Sequence, residues 1–196
     1  MKKINTGNLG SSSVWLLVMV FAFSIFTRPV MAQLNGWSLS AGASLGFAPN
    51  PSYGSDKAST MLLGLQGDLQ HDKLIGQFEV SISLPKSVSN SNFISGYGIY
   101  GSLGYNVHVT DNFRIPLMLS AGAGIISYNN GINGSAGDTF HDANPQLGFI
   151  LAPYYRLNRL VSIQAAYRWM KGFPVNSTSQ EISQGSISLG IRLTLF

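Results

Sequence analysis

The chain is 196 residues long, carries charge on 10% of them and contains no cysteine. That length suits one domain, and the missing thiols exclude disulfides, thiolate metal sites and lipoprotein acylation. A soluble domain ordinarily carries charge on about 25% of its residues, so a surface turned wholly to water is not expected here.

The N-terminal segment has the layout of an export signal. Lys2 and Lys3 start it, Val14 to Phe26 is an apolar run of 13 residues interrupted by Ser24, and Val30-Met31-Ala32 offers a cleavage site. Residues 1–32 are therefore expected to be a signal peptide, leaving a mature domain of 33–196. Of the 12 basic residues, Lys2, Lys3 and Arg28 fall in this leader. The remaining 9 stand against 8 acidic residues, so the basic pI carries no nucleic-acid reading.

After Gln33 the chain alternates with period two, the signature of strands with one apolar face. Trp37 to Phe47 opens the pattern with apolar residues at odd positions. Met61 to Leu69, Leu74 to Leu84, Tyr97 to Val109 and Phe113 to Ile125 continue it. The sixth run, Leu147 to Tyr155, is weakest because Pro145 and Pro153 each lack a ladder donor. Val161 to Trp169 is the seventh and Ile187 to Leu195 the eighth. No stretch after residue 32 offers the ~20 apolar residues of a membrane helix, whereas a tilted membrane strand needs about ten residues.

The connections alternate long and short. Residues 49–59, 85–95, 128–143 and 172–184 are long and rich in Ser, Asn, Gly and Pro. Those near His71-Asp72, Thr110-Asp111-Asn112 and Leu157-Asn158 are turn-like. Such an order is expected of an eight-stranded antiparallel up-and-down barrel that spans a Gram-negative outer membrane, with its short turns in the periplasm. Aromatic residues at both ends of the runs fit two interfacial girdles: Trp37, Tyr105, Phe113, Tyr155 and Phe196 below, and Phe47, Tyr97, Tyr128, Trp169 and Phe173 above.

The other face is mostly Ser, Gly and Gln and also carries Asp68, Glu79, Arg114, Arg168 and Arg192. These five are expected to form a charge network in a narrow lumen, since buried charges must pair. A gated ion path along the same residues is the sharper alternative. His71, His108 and His141 are not expected to be neighbours, and Asp138, His141 and Asp142 fit no metal motif. No Ser-His-acid set suits a lipid hydrolase. No catalytic, metal or cofactor-binding residue is therefore assigned.

The segment from Ser188 to Leu195 resembles the terminal β-signal read by the barrel-assembly machinery. Ser188, Gly190, Leu193 and Leu195 match it, while Phe196 is the favoured terminal aromatic but sits one residue out of phase. Glycine-rich strands such as Gly96-Tyr97-Gly98-Ile99-Tyr100-Gly101 are similar in style to the small outer-membrane β-barrels of the OmpA-membrane-domain and OmpX type. That resemblance covers 33–196. It implies a monomer surrounded by outer-membrane lipid and lipopolysaccharide, assembled by the barrel-assembly machinery, without cofactor or nucleic acid. It is silent on role, because such barrels serve as surface or structural proteins, channels or lipid enzymes. A non-enzymatic role through the long loops is the first expectation, narrow porin-like transport the second and lipid modification the third.

Overall fold

The computed structural model describes residues 36–49, 52–53, 56–57, 59–88, 92–129, 139–173, 175 and 182–195. The expected signal peptide, residues 1–32, and Phe196 lie outside them. The described residues form eleven strands: β1 (Trp37–Ala48), β2 (Ser52–Tyr53), β3 (Asp56–Lys57), β4 (Thr60–His71), β5 (Leu74–Val88), β6 (Asn92–His108), β7 (Phe113–Asn129), β8 (Thr139–Leu151), β9 (Tyr154–Arg156), β10 (Val161–Gly172) and β11 (Ile182–Thr194).

β1, β4, β5, β6, β7, β8 with β9, β10 and β11 form eight antiparallel staves, closed where β11 pairs with both β1 and β10. Closure removes the unpaired edges that an open sheet would present. Register fixes the tilt. In one direction Gly42 pairs with Arg192 and Arg192 with Ser162. In the other the row runs through Gln66, Glu79, Tyr100, Gly122 and Gln146 to Gly172. The row thus returns to β10 ten residues further along, the stagger a tilted eight-stave barrel requires.

The polarity is inverted relative to a water-soluble protein. Leu103 and Leu119 on the outside are 75% and 77% exposed, and Leu65, Phe78, Ile99, Leu189 and Ile191 are exposed with them. Inside, Ser40, Gln66, Asp68, Gln77, Glu79, Ser102, Ser120 and Arg192 are buried. An apolar belt outside and a polar filling inside is a barrel built for hydrocarbon.

The short turns are locally determined. Asp72 takes the left-handed conformation (φ 52°) between β4 and β5, which Asp tolerates well. Asn158 Oδ1 accepts from the amides of Leu160 and Val161, each at 2.8 Å, and holds the β9–β10 turn. Thr110 Oγ1 accepts from Phe113 N at 3.0 Å in the β6–β7 turn.

Three expectations need correction. The sixth stave is broken: Pro153 separates β8 from β9, whereas Pro145 stays within β8 opposite Ala123. The long connections are shorter than the sequence suggests, since β5 reaches Val88, β6 starts at Asn92, β7 reaches Asn129 and β8 starts at Thr139. The register shift between Ser83 and Lys86 absorbs Pro85, which has no N–H to give the ladder. Inside, the filling is not wholly polar, because Ile75, Met118, Ile150 and Ala152 form a buried apolar cluster.

Candidate functional site

The lumen carries one arrangement twice. At one level Arg192 Nε lies 3.1 Å from Asp68 Oδ2, and its guanidinium sits 4.6 Å from the centre of the Tyr154 ring. At the other level Arg168 is ion-paired with Glu79 and sits 5.1 Å from the centre of the Tyr100 ring. Each guanidinium is thus held between a carboxylate and an aromatic face, which suits its charge and its planar shape. Alternation places these residues on the inside, and the register brings β4 to β11 and β5 towards β10 across the barrel.

Amides extend each level. Gln66 Nε2 donates to Gln164 Oε1 at 2.9 Å and to Asp68 Oδ2 at 3.3 Å. The Tyr100 hydroxyl donates to Gln146 Oε1 at 3.0 Å. Asn106 Nδ2 donates to the Tyr154 hydroxyl at 3.1 Å and to Gln70 Oε1 at 3.0 Å. Side chains from six staves therefore meet across the lumen, and the apolar cluster of Ile75, Met118 and Ile150 fills the wall beside them. Glycines make the room. A Cβ on Gly98 would collide with the Tyr100 ring, and one on Gly64 would lie 3.2 Å from Glu79 Oε1.

Of the five expected network residues, four form the two pairs and Arg114 sits apart. Arg114 pairs in register with His108 and Tyr154 at the short-turn mouth, half-buried. The Trp37 and His71 rings lie 4.7 Å apart, centre to centre, at the same end. Of the acidic and histidine set in the third long connection, Asp138 lies outside the described residues and the side chains of His141 and Asp142 are not described. Among the described residues no three His, Cys, Asp or Glu side chains gather as a metal site.

In the terminal segment, Leu193 and Leu195 face outward and Arg192 is 3% exposed. Ser188 and Gly190 pair with Gly46 and Ser44 along the closing seam. There a Cβ on Gly190 would come within 2.9 Å of Ser44 Cβ.

Sequence reasoning missed the inward roles of Met118 and Ile150. They sit within the runs Leu117-Met118-Leu119 and Phe149-Ile150-Leu151, where apolar residues on both faces erase the alternation. Asn106 could have been found, being in the inward phase of β6 and wholly buried.

No protein family matches the sequence, and no curated protein matches it significantly. Solved structures do match the fold. Neisserial surface protein A is 18% identical, over 81% of this chain and 96% of that one, with a TM-score of 0.65. OprG from Pseudomonas aeruginosa is 15% identical, over 81% of this chain and 95% of that one, with a TM-score of 0.52. Ail of Yersinia pestis, in complex with the heparin analogue sucrose octasulfate, is 13% identical over 80% and 98%, with a TM-score of 0.52. The fold of this chain is that of the small eight-stranded outer-membrane β-barrels.

Proposed function

We propose that this chain is a non-enzymatic outer-membrane protein that acts through its long connections, with a barrel serving as anchor and closed by its own side chains. The observation that carries the reading is the doubled carboxylate–arginine–tyrosine arrangement. Two carboxylates and two guanidinium groups neutralise each other inside the lumen, so no counter-ion has to enter. A neutral, cross-linked filling supports an anchor better than a conduit.

The contacts with the outside then fall to residues 49–59, 85–95, 128–143 and 172–184, the long connections together with the strand ends that flank them. With Lys171 they carry three lysines against four carboxylates. That balance disfavours a polyanionic glycan of the kind bound in the Ail complex and favours a protein or neutral surface. Lipopolysaccharide and outer-membrane lipid surround the belt in this reading, and the barrel-assembly machinery inserts the chain through its terminal strand. The signal peptide, 1–32, belongs to the same proposal.

Planar-bilayer recording tests the closed lumen. The purified barrel is expected to be nearly silent, and a large steady conductance would replace the anchor with the narrow channel. A pull-down with the intact barrel in detergent, repeated with the long connections shortened, tests the loops. Mass spectrometry of lipid A after overexpression tests the third reading, and an altered lipid would overturn the non-enzymatic one.

A further inference from the structure

The two ends of the barrel differ in charge. Across the three short turns and the strand residues beside them stand Lys73, Arg114, Arg156 and Arg159 against Asp72 and Asp111. In the sequence, the long connections with Lys171 have the opposite balance, three lysines against four carboxylates. The inner charges cancel, so the surplus of cations belongs to the short-turn rim.

Two of these cations are set among apolar groups that face outward. Lys73 Nζ lies 5.9 Å from the centre of the Tyr105 ring, and Tyr105 points away from the lumen at the edge of the apolar belt. Arg159 is exposed between Leu157 and Leu160, which are 55% and 63% exposed at the tip of their turn. The turn is held by Asn158, whose side chain ties Leu160 and Val161 to it. Leu157 and Leu160 are therefore presented in a fixed geometry rather than folded back onto the barrel. Exposed leucines on a turn gain nothing from water, but they gain from an acyl boundary. With those leucines at an acyl boundary, a cation between them would reach a lipid phosphate.

We propose that the short-turn rim docks anionic phospholipid, with Lys73 and Arg159 on headgroup phosphates and Tyr105, Leu157 and Leu160 at the acyl boundary. This rests on the membrane reading above, in which the short turns face the phospholipid leaflet. Each basic residue beside an anionic lipid surface shifts partitioning about fivefold.

The test uses the mature barrel, refolded and then delipidated in detergent, with native mass spectrometry scoring phosphatidylglycerol against phosphatidylcholine. The wild-type barrel is expected to favour phosphatidylglycerol. The double variant Lys73→Gln/Arg159→Gln is expected to lower that preference about 25-fold, from two such cations. Lys171→Gln, at the other end, is expected to leave it unchanged. Equal binding of both lipids, an unchanged preference in the double variant, or an equal fall in Lys171→Gln would overturn the proposal. Displacement by soluble glycerol phosphate would also overturn it, since that headgroup has no chain for Leu157 and Leu160 to cover. Heat-modifiable gel mobility in vesicles of each lipid separates the two readings. A barrel that inserts without preference refutes the rim, whereas one that inserts in neither vesicle refutes the membrane reading itself.

Discussion

Arg192 and Asp68 lie side by side at 3.1 Å, on staves that closure rather than sequence has made close, and both are almost wholly buried. Among the described residues neither Arg192 Nε nor Asp68 Oδ1 has a hydrogen-bond partner, so the contact is ionic and not a directed fork. Charge neutralisation holds this level together with the Gln66 amide and the Tyr154 face. Arg192→Met is therefore expected to cost about 3–5 kcal/mol by leaving the carboxylate buried and alone. The double change Arg192→Met/Asp68→Leu is expected to recover much of that loss. Urea unfolding of the unaltered protein, Arg192→Met, Asp68→Leu and the double variant in one lipid system checks it, and additive losses would show that the two residues are not coupled.

Glu79→Ala tests the second level. It removes the carboxylate that Arg168 meets and strands a guanidinium over the Tyr100 ring. Stability is expected to fall by about 3–5 kcal/mol. If the pair also closes the lumen, brief small conductances are expected in planar bilayers where the unaltered protein shows none. Unchanged unfolding and silence together would remove this pair from the closure.

The lipid belt predicts a gradient along one strand. Leu189, Ile191 and Leu193 face outward at successive positions from the middle of β11 towards its end. Arginine at Leu189 is expected to cost about 2–4 kcal/mol, falling towards 0–1 kcal/mol as the interface is approached. Folding free energies of Leu189→Arg, Ile191→Arg and Leu193→Arg in vesicles measure it. Equal costs at all three positions would contradict a hydrocarbon belt.

Glycines on the two faces should respond oppositely to a single methyl group. A Cβ on Gly98 meets the Tyr100 ring, whereas one on Gly101 meets nothing within 4 Å. Gly98→Ala is expected to destabilise by roughly 1–3 kcal/mol through overpacking. Gly101→Ala is expected to be neutral or stabilising by about 0.5–1 kcal/mol, because glycine weakens a strand. Parallel unfolding curves distinguish the two outcomes.

Export makes a separate prediction. N-terminal sequencing of membrane-inserted protein is expected to begin at Gln33, after Val30-Met31-Ala32. A mature chain that keeps Val14 to Phe26 would overturn the assignment of residues 1–32.

The face that a residue presents was legible in the sequence, Met118 and Ile150 excepted, because a strand's period is two and a barrel has one apolar side. Odd positions of β11 and even positions of β4 needed no tertiary knowledge to be placed outside or inside. The count of eight staves and the alternation of long and short connections followed from the same pattern. Prolines were legible in part: Pro153 breaks its strand, but Pro145 does not, and only the local ladder distinguishes them.

What pairs with what across the lumen was not legible. Asp68 and Arg192 are far apart in sequence, as are Glu79 and Arg168, and alternation says merely that all four point inward. The ten-residue stagger of the closed barrel decides which levels coincide. It brings Asp68 to Arg192 and Glu79 to Arg168, and leaves Arg114 at the mouth with His108. Sequence periodicity is a property of single strands and determined the two faces. Partnership depends on tilt and closure, which arise only when all eight staves share one register.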